Sequence, residues 1–229
     1  MKKILVVASI AASLPVLLSL PAGAQWTAGA EAGKAFDVFH TDYAYQTGTP
    51  DSFINRASGF GAGIFFGHDF KVGGRLFLGF ELRAGLNDAR WEMDTEDVYA
   101  GTPKGGPSHL RYDIPWFAGL SGIAKFRVLP GLAVTADLGM AFSRIRMKKT
   151  SASSTSYSYD DWVPALAAGA GLEWDLTSKW ALIARFSFID FREVETISRF
   201  PDGEAWETVT GRPNLFSARL GILFRIGGS

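Results

Sequence analysis

A chain of 229 residues with 47% hydrophobic and 14% aromatic content, 26 glycines and no cysteine suits one sizeable folded domain, either globular or membrane-embedded. The lack of cysteine removes disulfides, thiolate metal sites and cysteine nucleophiles together. The 23 basic side chains equal the 23 acidic ones and form no long basic run, which disfavours a nucleic-acid binder that works by neutralising phosphates.

At the N-terminus, Lys2 and Lys3 precede an apolar run from Ile4 to Leu20 that ends on the small residues Ala22, Gly23 and Ala24. This is the pattern of a cleaved secretory signal peptide over residues 1–24. Pro15 and Pro21, with no basic stop-transfer flank after them, speak against a membrane anchor. Residues 25–229 hold no stretch of about 18 consecutive apolar residues, so no transmembrane helix is expected there. A membrane-embedded form of this domain has to be a closed barrel, because only closure satisfies strand backbone groups in lipid.

Segments of alternating character then recur near 26–40, 55–68, 75–92, 110–128, 132–148, 161–176, 180–198 and 213–226. In the third, the even positions are Leu76, Leu78, Phe80, Leu82, Ala84 and Leu86, whereas Arg75, Glu81 and Arg83 lie among the odd ones. In the fifth, Leu132, Val134, Ala136, Leu138, Met140 and Phe142 oppose Thr135, Asp137 and Ser143; the last repeats the pattern from Phe216 to Ile226. Such period-two alternation over ten or more residues marks transmembrane barrel strands.

Glycine decides which face is inside. Thirteen strand glycines, among them Gly33, Gly61, Gly63, Gly169 and Gly221, fall on the charged face, and one, Gly122, falls on the apolar face. A small barrel needs glycine inside to make room for arginine and glutamate, so the charged face is the lumen and the apolar face meets lipid.

The links also alternate. Short ones are Asp69–Gly74, Leu129–Gly131 and Thr177–Lys179; long ones, rich in Gly, Ser, Thr, Pro and Asp, are near 41–54, 93–109, 149–160 and 199–212. Short turns belong in the periplasm and long loops outside. Trp26, Phe126, Trp174 and Trp180 then form a periplasmic girdle, and Trp91, Tyr112, Phe142, Trp162 and Phe188 an outer one.

From Gly169 the sequence GAGLEWDLTSKWALIARFSFIDF, followed by NLFSARLGILFRI, resembles the last hairpin and closing strand of a family of small eight-stranded Gram-negative outer-membrane barrels. That family includes outer-membrane protein A transmembrane domains and opacity-type surface antigens. One departure is that Phe224 is followed by Arg225, Ile226 and Gly-Gly-Ser rather than ending on an aromatic residue. The resemblance implies an all-β, eight-stranded antiparallel up-and-down barrel over residues 25–229. It also implies residence in the bacterial outer membrane, delivery by the barrel-assembly machinery and a structural or adhesin-like role through four outer loops. A narrow channel or a hydrophobic-solute conduit is the alternative.

Three places are candidates for chemistry. The lumen set comprises Glu31, Asp37, Glu81, Arg83, Asp113, Lys125, Arg127, Asp137, Glu173, Arg185 and Arg219, with Arg75, Arg111, Asp175 and Arg225 on the same phase. Its near-balanced charges are expected to pair into a plug; an ion pathway is the competing reading. At the outer end of the fifth segment, Arg144, Arg146 and Lys148 extend the lipid-facing series and are candidate ligands for lipopolysaccharide phosphates. The loop stretch SASSTSYSYDD offers serine and tyrosine to a surface ligand. For catalysis only His40, His68 and His109 are available, with Asp42, Asp160, Asp161 and Ser108 as conceivable partners. They show no hydrolase spacing, so no enzyme activity, cofactor or metal is expected.

Overall fold

A computed structural model of the chain describes residues 24–45, 51–96, 107–151, 157–199 and 205–227. The leader expected over 1–24 lies outside these residues, apart from Ala24. The described residues form ten strands: β1 (Ala24–Tyr45), β2 (Asp51–Lys71), β3 (Leu76–Asn87), β4 (Arg90–Glu96), β5 (Pro107–Leu129), β6 (Leu132–Ser151), β7 (Tyr157–Asp175), β8 (Trp180–Phe191), β9 (Val194–Arg199) and β10 (Ala205–Ile226). Eight make an antiparallel ring in the order β1-β2-β3-β5-β6-β7-β8-β10, closed by β10 against β1. The eight-stranded barrel read from the alternation is therefore the fold.

The register gives the barrel its dimensions. A path across paired residues from Trp26 runs through His68, Phe80, Gly122, Leu138, Ala168, Phe188 and Phe216 and returns to β1 at Phe36. That is a stagger of ten residues. With strands ~4.7 Å apart rising ~3.3 Å per residue, eight strands and this stagger tilt the strands by about 40° and give a backbone radius of about 8 Å. Every residue on the path is even-numbered, so one phase of alternation persists around the whole ring. Outward-facing Leu138 and Leu220 are 69% and 71% exposed, as lipid-facing residues must be in a bare protein.

Tight turns close the periplasmic end. Pro130 and Gly131 carry the β5–β6 turn, with Gly131 at φ +81°, a conformation that a residue with a Cβ resists. On the outer side the strands run further than the sequence implied. Residues expected as long loops continue β1 to Tyr45, start β2 at Asp51, and extend the β5–β6–β7 and β9–β10 pairs to within a few residues of each tip. Alternating hydropathy reports burial of one face in lipid, whereas a backbone ladder above the membrane needs no apolar face.

Two further differences concern phase. β5 carries a bulge at Ile114 and Pro115, between the register pairs Asp113–Arg146 and Trp116–Arg144. Pro115 has no N–H to give to the ladder, so the bulge absorbs it and the inward and outward sides exchange beyond it. Tyr112 and Ile114 point into the core, and Arg111 and Asp113 point outward. Tyr112 thus leaves the expected girdle, as does Trp91, which packs on the same core. Arg75, in turn, lies exposed in the turn before β3, outside the lumen.

The outer part of the wall divides. β2 pairs with β3 only up to Gly61–Asn87, and β7 pairs with β8 only up to Ala165–Phe191. Beyond these points β4 pairs with β5 and β9 with β10. Two four-stranded sheets, β9-β10-β1-β2 and β4-β5-β6-β7, therefore rise from opposite sides of the ring.

Close approach of a neighbouring backbone explains some lumen glycines, and of a side chain others such as Gly85 and Gly169. A Cβ at Gly33 would collide with the Ala218 carbonyl across the closing β1–β10 pair, whereas one at Gly122 meets nothing nearer than 3.8 Å. Gly33→Ala is expected to destabilise the refolded barrel by about 1 to 3 kcal/mol in urea titrations, and Gly122→Ala by no more than about 0.5 kcal/mol.

Candidate functional site

Odd-numbered side chains converge in the lumen as two charge clusters. At mid-height Arg185 on β8 donates to Glu31 at 3.1 Å and to both oxygens of Glu81 at 3.0 Å. The second oxygen of Glu31 accepts from Arg219 on β10 at 3.0 Å. Glu81 also accepts from Arg83 at 2.7 and 3.0 Å, and Arg83 lies 3.7 Å from Asp137 on β6. These six residues link five strands into one network. Phe65 covers the guanidinium face of Arg185 at 5.1 Å, and Phe117 that of Arg219 at 5.0 Å. Gly61 and Gly63 leave room beside Arg219, whose nitrogens lie 3.1 and 3.3 Å from where their Cβ atoms would be.

Nearer the periplasm, Lys125 sits between Asp69 at 2.6 Å and Glu173 at 2.9 Å. Arg225 bonds both Glu173 and Asp175, and Arg127 reaches Asp175 at 3.5 Å from the mouth of the barrel. Asp69 is not among the residues expected in the lumen because the alternation of the second segment stops at residue 68, before a turn. Above the central network the lumen is filled mostly by apolar side chains, Phe39, Tyr112, Ile114, Ile145, Met147 and Phe191, with Thr41, Asn55 and Ser143 buried on the same inward phase. Asp37 is buried at this level and, among the described residues, accepts from the Asn87 amide at 3.1 and 3.4 Å rather than from a cation. Asp113 is not in the lumen at all: the β5 bulge moves it outside.

At the outer rim the cations expected on β6 do face outward, but they are not equivalent. Arg144 forms a two-pronged pair with Asp160 on β7, at 2.6 and 2.7 Å, and Arg146 is 3.8 Å from the same carboxylate. Above the outer aromatic girdle, this hydrogen-bonded fork holds the Asp160 carboxyl below the usual carboxylate range. Arg111 and Asp113, brought to this face by the bulge, lie opposite Lys148 and Arg146 in register, and Arg111 donates to Asp113 at 2.8 and 3.2 Å. Trp116 and Trp162 meet edge to face at 3.9 Å one step below.

This combination of a closed eight-strand ring, a lipid-facing belt and a charged lumen agrees with the family comparison, in which the OmpA-like transmembrane domain matches residues 21–229. The chain belongs to that family. It is an integral β-barrel of the bacterial outer membrane. Among solved structures, OprG from Pseudomonas aeruginosa aligns with a TM-score of 0.55 at 13% identity, covering 89% of this chain and 96% of that one. The outer membrane protease OmpT from Escherichia coli gives 0.50 at 6% identity, with 88% and 97% covered. Ail, the attachment invasion locus protein of Yersinia pestis, gives 0.38 at 13% identity, with 86% and 98% covered. At these identities the likeness is one of fold. No match is found among curated proteins.

In this OmpA-like barrel the three histidines lie apart. His40 and His109 are exposed on β1 and β5, and His68 sits on the lipid-facing side between Trp26 at 4.5 Å and Phe80 at 5.9 Å, within the periplasmic girdle. Asp42 is on β1, three strands round the ring from Asp160, and Asp161 accepts the neighbouring Trp162 N–H at 2.8 Å. The Ser–Tyr stretch of the third loop lies partly outside the described residues. The two lumen clusters, of six residues each, are thus the largest assemblies of titratable groups among them. Removing one partner of a buried pair leaves an uncompensated charge, whereas an exposed pair contributes little. Arg185→Met is expected to lower unfolding stability in detergent by about 3 to 5 kcal/mol. Arg212→Met, which breaks the exposed pair with Asp190 at 3.0 Å, should cost less than about 1 kcal/mol in the same titration.

Proposed function

We propose that this OmpA-like domain is a sealed, non-enzymatic barrel that acts through its outer face, as a structural and surface-interacting component of the outer membrane. The observation that carries this reading is the pairing of Glu31, Glu81, Arg83, Asp137, Arg185 and Arg219 across the full width of the lumen. An interior of about 8 Å backbone radius filled by these side chains, with a mostly apolar layer above, argues against a hydrated path for an ion. The role of the outer face is supported by the strands that continue beyond the outer girdle, which carry the barrel wall above the membrane. Outer-membrane lipid, lipopolysaccharide and the barrel-assembly machinery are the partners such a barrel requires. The paired lumen is a stabilising plug in this account, and the rim cations face the lipopolysaccharide headgroups.

A second reading, a conduit for hydrophobic solutes, draws on one observation. The apolar upper lumen abuts the place where β7 and β8 part, and a cleft of about 510 Å³ opens there beside Met140, Pro164 and Leu166, with Arg192 and Arg212 on its lip. Planar-bilayer recording separates these readings from an ion channel. The refolded barrel is expected to show no steady ohmic current. A persistent current that is altered by Arg185→Met would contradict the sealed lumen. Uptake of an apolar dye by vesicles carrying a non-conducting barrel would favour the conduit.

A further inference from the structure

The outer rim holds a cleft of about 210 Å³ lined by Arg111, Asp113, Arg146 and Lys148. We propose that this cleft between β5 and β6 binds one phosphate monoester of an outer-leaflet glycolipid, with Arg111, Arg146 and Lys148 as its ligands and Arg144 excluded. The proposal rests on the reading that the outer face meets lipopolysaccharide, and it names the group recognised there.

Three observations carry it. The first is phase: Pro115 and Ile114 form the bulge that turns Arg111 outward, directly opposite Lys148, so cations from two strands converge where an unbroken β5 would have put Arg111 inside. The second is charge. Asp160 already occupies both prongs of Arg144, whereas Lys148 makes no ion pair among the described residues and Arg146 stands 3.8 Å from its nearest carboxylate. Asp113 takes Arg111 through Nε and Nη2 onto a single oxygen, with Glu92 3.8 Å from the same Nε; this fixes the guanidinium and leaves its Nη1 for a ligand in the cleft that Arg111 lines, a cleft Arg144 does not line. Arg111, Arg146, Lys148 and the neighbouring Arg90 stand against Asp113 and Glu92, the latter 3.8 Å from Arg111 and 3.7 Å from Arg90, which leaves a balance of two positive charges, and a phosphate monoester carries about −1.5 to −2 at neutral pH. The third is height. Arg144 is in register with Trp116 and Trp162, the outer aromatic pair. Each two-residue step along a strand tilted by about 40° rises about 5 Å, which places Arg146 and Lys148 about 5 and 10 Å above that pair, at headgroup level. The Arg146 guanidinium, the remaining Nη1 of Arg111 and the Lys148 ammonium suit the several oxygens of such a phosphate.

The test compares the full-length barrel with Arg111→Gln/Arg146→Gln/Lys148→Gln and with Arg144→Gln, refolded in detergent with lipopolysaccharide carrying phosphorylated lipid A or its dephosphorylated form. Retention after washing is the readout. The triple variant is expected to retain at least tenfold less phosphorylated glycolipid, Arg144→Gln less than twofold less, and the unsubstituted barrel should bind the dephosphorylated form as weakly as the triple variant does. Equal retention of the two glycolipids overturns the proposal, as does an Arg144→Gln loss as large as the triple's. Displacement of the glycolipid by equimolar inorganic phosphate overturns the lipid source. Heat-modifiable gel mobility reports folding; if the triple variant fails it, Lys148→Gln alone carries the test, with a loss of at least threefold expected and no loss overturning the site. Bilayer current measured on the same samples keeps the two readings apart: a conducting barrel that still selects the phosphorylated glycolipid contradicts the sealed lumen and leaves the cleft standing.

Discussion

Closing eight strands with a stagger of ten residues sets a tube of about 8 Å backbone radius, and most of the remaining structure answers to that confinement. Charged side chains that enter so narrow a space lose much of their water, and a lone charge there is costly. Arg185 is tolerable because it touches Glu31 and Glu81 together, and Arg219 because it shares Glu31 and lies against Phe117. The glycines serve the same confinement: residues such as Gly61 and Gly63 give up side chains so that a guanidinium fits beside the backbone. The charges cross-link strands far apart in sequence, Glu31 and Arg219 being 188 positions apart.

The ring and its orientation were legible because the membrane imposes one rule on every strand. Alternation with even positions outward holds from Trp26 round to Phe36, and the placement of glycine on the odd face identified the lumen. What escaped the sequence was local or combinatorial. The bulge at Ile114 and Pro115 reverses phase for only a few residues, and Pro115 alone does not reveal on which side of it the ladder resumes. Asp113 and Arg111 were therefore assigned to the lumen and lie at the rim instead. Composition indicated that the lumen charges would balance; it did not indicate that Asp37 would take an amide while Lys125 took Asp69. Partner choice depends on the stagger, which no single strand encodes. At the rim, three cations in a row on β6 looked alike until Asp160 on the neighbouring strand separated Arg144 from the other two.

The division of the outer wall into two sheets gives this barrel an upper half unlike its lower half. Below Gly61–Asn87 and Ala165–Phe191 all eight strands share one ladder and the lumen is ionic; above them two four-stranded sheets enclose an apolar filling. The lower half contributes closure and rigidity through buried pairs. The upper half carries the rim cations, the cleft beside Pro164 and the roots of the loops. The rim cations and the ionic centre thus lie on different parts of the same strands, so the outer residues can vary without disturbing the ionic centre.

The central claim is that the lumen charges hold the barrel as pairs rather than as independently hydrated groups. A double-mutant cycle on Glu31 and Arg219 addresses it most directly, using Glu31→Gln, Arg219→Met and both together, each unfolded by urea from detergent. Paired charges at 3.0 Å in this setting predict a coupling energy of about 2 to 3 kcal/mol, with the double variant more stable than the sum of the single losses implies. A coupling within about 0.5 kcal/mol of zero would mean that each group is served by water, and the sealed, charge-paired lumen would have to be abandoned.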